Sequence, residues 1–283
     1  AAGLLDELAW LALEPLVARK VLDTLGGRLR VAVAGGAPLG DNVARFFLGM
    51  GLDVLQGYGM TETSPIVCYN TPDDNDPASV GKVLHGVSVK LGENNELMVG
   101  GPGVMMGYWN READTQKALT ADGWLHTGDQ ARIDEQGRIY ITGRIKDIIV
   151  TSTGEKISPS DLELAIMADS LFSQVLVVGE QRPFLSVLAV IDEKTFHREA
   201  PQAGIDVNAP DALSCEATQA WALARIVHRV KNFPHYATPK KVWLTREPWT
   251  IDAGLMTPTL KLKRPALESR FAEQIEQLYA RRS

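Results

Sequence analysis

Tyr58, Thr61 and Glu62, set in the stretch Gln56-Gly57-Tyr58-Gly59-Met60-Thr61-Glu62-Thr63, bring three kinds of chemistry within a few positions. The tyrosine ring offers a flat face to a base. The Thr61 hydroxyl suits a phosphate oxygen, and the Glu62 carboxylate is a hard oxygen ligand of the kind magnesium takes. A glycine on each side of Tyr58 would let a ligand approach the backbone closely. The plainer alternative is a glycine-rich turn around a structural tyrosine, and these residues by themselves leave both readings open.

Three further stretches carry polar chemistry: Trp124-Leu125-His126-Thr127-Gly128-Asp129, Gly143-Arg144-Ile145-Lys146-Asp147 running on through Thr153-Gly154-Glu155-Lys156-Ile157-Ser158-Pro159, and Leu255-Met256-Thr257-Pro258-Thr259-Leu260-Lys261-Leu262-Lys263-Arg264. In this order the four stretches resemble the AMP-forming acyl-CoA synthetases of the adenylate-forming superfamily. The closing Thr-Pro-Thr-Leu-Lys-Leu-Lys-Arg is most like the long-chain fatty acid–CoA ligases. The resemblance covers Leu29 to Arg264.

The resemblance implies two steps: a fatty carboxylate attacks the α-phosphate of MgATP to give acyl-AMP and pyrophosphate, and the coenzyme A thiol then displaces AMP. It implies that Gly36 and Ala37 border the adenine, that Tyr58 stacks on it, and that Gln56 and Gly57 belong to the nucleotide-binding residues. Thr61 would touch phosphate and Glu62 would hold magnesium. Asp129 would accept both ribose hydroxyls, as an acceptor-only carboxylate can, and Arg144 would donate to the ribose or merely pair with a carboxylate at a domain edge. Lys146, with its neighbour Asp147, matches a hinge between two half-reaction poses. Gly154 would approach the pantetheine thiol, and Lys261 would bridge the attacking carboxylate and an α-phosphate oxygen as a point charge. Lys263 and Arg264 are competing cations there. Plainer alternatives stand beside these roles: a surface turn for His126-Thr127-Gly128-Asp129, a hairpin glycine for Gly154 and a solvated basic face for Lys261. His126 is read as structural, because the substrate carboxylate is already ionised.

One departure matters. The family's Ser/Thr/Gly-rich phosphate loop should precede Gly35, and no such run occurs there. The expectation is therefore a C-terminal portion of a ligase, inactive by itself and prone to self-association. Rival readings are an enzyme for another carboxylic acid and a non-catalytic nucleotide- or partner-binding fragment.

The 283 residues carry a net charge of −6, which gives no general nucleic-acid signature. Cys68 and Cys215 fit no metal or redox spacing and suit a reducing cytoplasm, with peripheral membrane contact allowed. The apolar stretch Leu4 to Val17 is too short and too charged to span a bilayer.

The elements that must position these residues follow from periodicity. Apolar spacing predicts a helix over Pro15 to Leu25, a strand over Leu29 to Ala34, a helix over Asp41 to Met50 capped by Asp41, and a strand over Leu52 to Gln56. Strand, helix, strand implies a parallel βαβ unit, with both glycine-rich stretches beyond the strands' carboxyl ends, and the resemblance implies that it is a two-strand remnant of a larger sheet. Val80 to Thr142 reads as a small β-barrel-like subdomain with a helix over Arg111 to Leu119. The fold expected is α/β plus α+β, and the resemblance implies that residues 1–142 are the end of a large adenylation domain, with the βαβ part reaching to about 79 and the β subdomain over 80–142, and that 143–283 are a mobile C-terminal domain. There a strand over Asp147 to Thr151 precedes a helix opened by a Ser158–Asp161 capping box with Pro159 at its first position. Strands over Gln174 to Val178 and Leu185 to Ile191 follow, then helices over Pro210 to Lys231 and Arg264 to Ala280.

Overall fold

The computed structural model describes residues 17–37 and 39–280. Leu4 to Leu16, which include the start of the first expected helix, and Pro38 lie outside the described residues. The chain divides into two compact units, Ala1–Ile145 and Lys146–Ser283.

In the first unit, helix α1 (Arg19–Thr24) precedes strand β1 (Val31–Ala34), helix α2 (Asp41–Gly49) and strand β2 (Asp53–Gly59). The two strands pair in parallel, from Val31 opposite Asp53 to Ala34 opposite Gln56. Ala44 of α2 buries with Leu52 and Val54, which fastens the helix to β2. Gly40, not Asp41, occupies the N-cap; Asp41 sits in the first turn and pairs with Arg45 at 2.8 Å. The expected two-strand remnant is one half of a mixed sheet of four strands in the order β1-β2-β3-β4, completed by β3 (Ile66–Tyr69) and β4 (Lys82–Val83). Both later strands are antiparallel to their neighbours.

Strand β2 also runs further than the sequence pattern implied, so Gly57, Tyr58 and Gly59 lie inside it rather than beyond its end. Neither glycine has positive φ. A side chain at Gly59 would put its Cβ 1.8 Å from the Pro65 carbonyl oxygen. The glycine therefore admits the returning chain of β3, not a ligand.

The second sheet of this unit is an antiparallel meander of β5 (Ser88–Leu91), β6 (Glu96–Gly100), β7 (Leu125–Ile133) and β8 (Ile139–Arg144), with helix α3 (Glu112–Ala118) between β6 and β7. It is an open sheet and not the barrel-like subdomain expected, because β5 and β8 form its two edges and do not pair. The Ile139 end of β8 bonds elsewhere: Val80 donates to the Ile139 carbonyl, and Ile139 donates to the Gly81 carbonyl, both at 2.9 Å. Val67 and Cys68 of the first sheet share a core with Leu97, Val99, Ala131 and Ile139 of the second.

The second unit begins with one 3₁₀ turn that straddles the division, Ile145–Asp147. The strand expected over Asp147 to Thr151 shrinks to β9 (Ile149–Val150), paired with β10 (Lys156–Ile157). Helix α4 (Pro159–Met167) starts at Pro159 as expected, but Ser158 makes no capping bond and its buried hydroxyl lacks a partner, so the capping box is not formed. A three-stranded sheet follows, with β11 (Phe172–Val178) antiparallel to β12 (Ser186–Ile191) and β12 parallel to β13 (Lys241–Thr245). Alternate residues serve two cores. Val175, Val177, Val187 and Ala189 join Leu162 and Ile166 of α4, Phe196 of α5 (Glu193–Glu199) and Ile226 of α6 (Glu216–Arg229). Leu176, Val178, Leu188 and Val190 join Trp249, Leu267 of α7 (Arg264–Arg270), and Leu278 of α8 (Ala272–Tyr279). The two long helices expected are shorter. Turns occupy most of 210–215, and the last helix breaks at Phe271, whose ring packs 5.2 Å from Trp243 and 6.0 Å from Trp249.

Candidate active site

Asp129 is the centre of the first unit's polar site. It lies on β7, not on a surface turn, and is only 5% exposed. The pairing of β6 with β7 passes from Glu96 opposite Gln130 to Met98 opposite His126, so Thr127, Gly128 and Asp129 together face Leu97. Gly128 takes φ 70, a left-handed angle that glycine adopts without a Cβ clash. This bulge is pinned by its own polar groups. Thr127 donates to the Leu97 carbonyl at 2.6 Å, and Glu96 accepts from the Gly128 amide at 2.9 Å while lying 2.8 Å from His126 Nδ1. His126 is thus a structural partner of Glu96.

Two groups meet the Asp129 carboxylate. The Tyr58 hydroxyl donates to Oδ2 at 2.6 Å, and Arg144 Nε lies 2.9 Å from Oδ1. Arg144 ends β8 directly opposite Asp129, so cross-strand register brings that pair together. Burial, and then the adjacent Asp129 charge, push the Tyr58 phenol well up, so it stays a donor at any ordinary pH. A carboxylate has about four lone-pair sites, so Asp129 retains acceptor capacity for further hydroxyl groups. Gln56 is buried, and its amide donates to the Pro77 carbonyl at 2.5 Å. Beside it the turn carrying Gly36 and Ala37 leaves β1 at Ala34, opposite Gln56; Gly36 has φ 77, and both are exposed.

Thr61 and Glu62 form a second cluster, on the 3₁₀ turn Thr61–Thr63 between β2 and β3. Thr61 is exposed and Glu62 half-buried. Tyr108, which nothing in the local sequence marks out, donates to Glu62 Oε1 at 2.7 Å, and the Glu62 carbonyl accepts from the Met105 amide at 2.8 Å. The bond to Glu62 raises the Tyr108 phenol above its ordinary value. Among the described residues no group of three or more His, Cys, Asp or Glu could hold a metal. A lone carboxylate oxygen still fits magnesium when substrate phosphates supply other ligands.

The remaining expected residues belong to the second unit. Lys146 and Asp147 occupy the 3₁₀ turn at its start. Gly154 has φ 87 in the turn between Thr151 and Glu155, and a Cβ there would meet no atom within 4 Å. Its need for glycine is conformational. Lys261 is exposed, with no carboxylate at ion-pair distance among the described residues. Arg264 is no competitor for its role: the guanidinium lies 2.5 Å from Glu163 and donates to the Val177 carbonyl at 2.7 Å.

Two family models match successive parts of the chain: AMP-binding enzyme over residues 6–109, and AMP-binding enzyme C-terminal domain over residues 146–283. The long-chain-fatty-acid–CoA ligase FadD15 of Mycobacterium bovis is 39% identical over 285 residues, which are 98% of this chain and 46% of the relative. The chloroplastic long-chain-fatty-acid–[acyl-carrier-protein] ligase AEE15 of Arabidopsis thaliana is 31% identical over 300 residues, 99% of this chain and 39% of that protein. The chain therefore spans about half the length of the curated relatives it matches, or less. Among solved structures, the A-PCP didomain of carboxylic acid reductase from Segniliparus rugosus, in complex with AMP, shares the fold at a TM-score of 0.77 and 23% identity, over 95% of this chain and 37% of that one.

Proposed function

The chain belongs to the AMP-binding enzymes, and from that premise we propose that it carries nucleotide-binding residues and residues for both steps of an AMP-forming long-chain fatty acid–CoA ligase. The reaction joins a fatty carboxylate to ATP as acyl-AMP, releases pyrophosphate, and passes the acyl group to the thiol of coenzyme A. One observation supports this most: a buried carboxylate held by a tyrosine and an arginine, with lone pairs left over.

In this reading Asp129 accepts the ribose hydroxyls. Tyr58 and Arg144 fix the carboxylate beforehand, so little reorganisation accompanies binding. Gly36, Ala37, Gln56 and Gly57 line the base-binding edge of the sheet. Thr61 meets phosphate, and Glu62, oriented by Tyr108, would hold magnesium, which when bound would supply charge to offset that of the phosphates. Lys261 acts in the first step and Gly154 lies on the path of the thiol. Lys146 is the hinge, with Asp147 beside it. Proline at Lys146 would fix φ there, so Lys146→Pro should change the single-turnover rates of the two half-reactions by different factors. Equal factors would remove the hinge assignment.

The ribose assignment is tested by AMP binding to this chain. Asp129→Asn keeps the shape and loses the charge, and hydrogen bonds to charged groups are worth roughly 1.5–3 kcal/mol. AMP affinity should fall about tenfold to a hundredfold, measured by calorimetry, with an adenine-only ligand unaffected. An unchanged AMP affinity would sink it. The acyl substrate is tested by pyrophosphate exchange into ATP across a panel of fatty, short-chain and aryl acids. A carrier-protein phosphopantetheine ends in the same thiol as coenzyme A, and competition between the two in the second step identifies the acceptor.

A further inference from the structure

Lys261 lies on a segment whose two roots hang from one strand. Upstream, Gln174 on β11 uses its whole amide: Oε1 accepts from the Trp249 amide at 2.7 Å, and Nε2 donates to the Trp249 carbonyl at 2.9 Å and lies 3.3 Å from Met256 Sδ. Downstream, Arg264 donates to the carbonyl of Val177, on the same strand, at 2.7 Å and to Glu163 at 2.5 Å. Glu163 in turn accepts from the Val177 amide at 2.8 Å. Burial pushes the Glu163 carboxyl up, and the adjacent guanidinium opposes that push.

Between the roots the chain is a small hairpin. Lys263 donates to the Leu255 carbonyl at 2.9 Å, Met256 bridges Leu262, and Thr257 donates to the Lys261 carbonyl at 2.8 Å. The Thr257 hydroxyl accepts from the Lys261 amide at 3.0 Å, and Leu260 makes the reversal at φ 61. Trp249 and Leu255 are buried below, so the base of the hairpin is fixed while its tip is exposed.

We propose that Gln174 and Arg264 are positioning residues for Lys261, which set where its ammonium stands in acyl-adenylate formation. The inference rests on the assignment of Lys261 to that step. A solitary Gln bonding both backbone groups of Trp249 does for the upstream root what a ladder partner does in a sheet. The Arg264–Glu163 pair does the same at the other root. A 1 Å misplacement of a reacting group is enough to cost about a hundredfold in rate.

The test is a double-mutant cycle in the enzyme at the length of its relatives. Gln174→Met keeps bulk and removes both bonds to Trp249. It should lower acyl-adenylate formation by roughly tenfold to a hundredfold and leave thioester formation from supplied acyl-AMP within about twofold. Because the residue acts through Lys261, Gln174→Met should add nothing to the loss caused by Lys261→Ala. Arg264→Lys, which keeps the charge beside Glu163 and loses the bond to Val177, repeats the test from the other root and stands in if Gln174→Met does not fold. Equal loss in both half-reactions, or losses additive with Lys261→Ala, would make the anchors merely structural and overturn the proposal. So would normal adenylation in the anchor variants when Lys261→Ala abolishes it. If Lys261→Ala itself adenylates normally, the Lys261 assignment fails first, and that result is distinct from the others.

Discussion

Asp161 stands in the first turn of α4 without an ion-pair partner among the described residues, and burial pushes its carboxyl up to about 6. The folded state therefore holds this proton more tightly than the unfolded chain does. The sign follows: Asp161 favours folding most below about pH 4, its contribution falls as pH rises from about 4 to about 6, and the unfavourable charge persists above that. Asp161→Asn should accordingly be more stable than the parent at neutral pH, with the gap closing toward about pH 4. Urea midpoints across that range check it; a gap independent of pH would refute the cause. At this scale the sequence marked residues but not contacts. Tyr58, Asp129 and Arg144 each stood out as polar or aromatic groups in motif-like stretches. That Tyr58 and Asp129 hold each other was not readable, because 71 positions separate them and only the joined sheets bring them together. Tyr108 was invisible for the same reason, since its partner Glu62 lies 46 positions away.

Among the elements, β2 and its return strand depend on a missing side chain. Any Cβ at Gly59 collides with backbone atoms of Pro65 and Ile66, which cannot rotate away. Gly59→Ala should destabilise the first unit by about 3 kcal/mol, the upper end of ordinary overpacking costs. Gly36→Ala is a contrasting control, strained by its φ of 77 but free of any neighbour within 4 Å. Thermal unfolding followed by tryptophan fluorescence would order the two, and equal losses would discount the collision. The parallel pair β1–β2 and the separate strands β11 and β12 were legible as short apolar runs, but the antiparallel pairing of β11 with β12 was not. Strands β3 and β4 were not, because runs of four and two residues carry too little period to read. The cap at α4 misled for a chemical reason: Ser158 has the right type and place, but its hydroxyl points inward.

For the molecule as a whole, the two units differ in how completely they cover their sheets. In the second, both faces of the sheet are buried under helices and the Trp249 segment. In the first, among the described residues, β1 is a sheet edge with Val33 76% exposed, and Phe46 of α2 is 58% exposed. Unpaired edges with apolar side chains template association between chains. This chain should self-associate with rising concentration in sedimentation velocity, and Val33→Lys should suppress it by placing charge on the edge. A parent that stays monomeric would remove the argument. No helix among the described residues is long and apolar enough to cross a membrane. The mixture of helices and sheets was legible from the order of strand and helix runs. The open form of the second sheet was not, since closure depends on whether two edge strands meet and leaves no mark on either one.

The bulge on β7 sets residue count against residue identity. Three residues there face one, so removing two of them would restore an unbroken ladder and keep every later side chain on its own face. Such a shortened strand would be the more regular sheet and would have lost the Asp129 site. Under the proposed role of Asp129, chain length at Thr127-Gly128-Asp129 is held by the site and not by what the sheet prefers. Over time, gaps in an alignment of related chains should avoid these positions even where neighbouring loops vary freely in length.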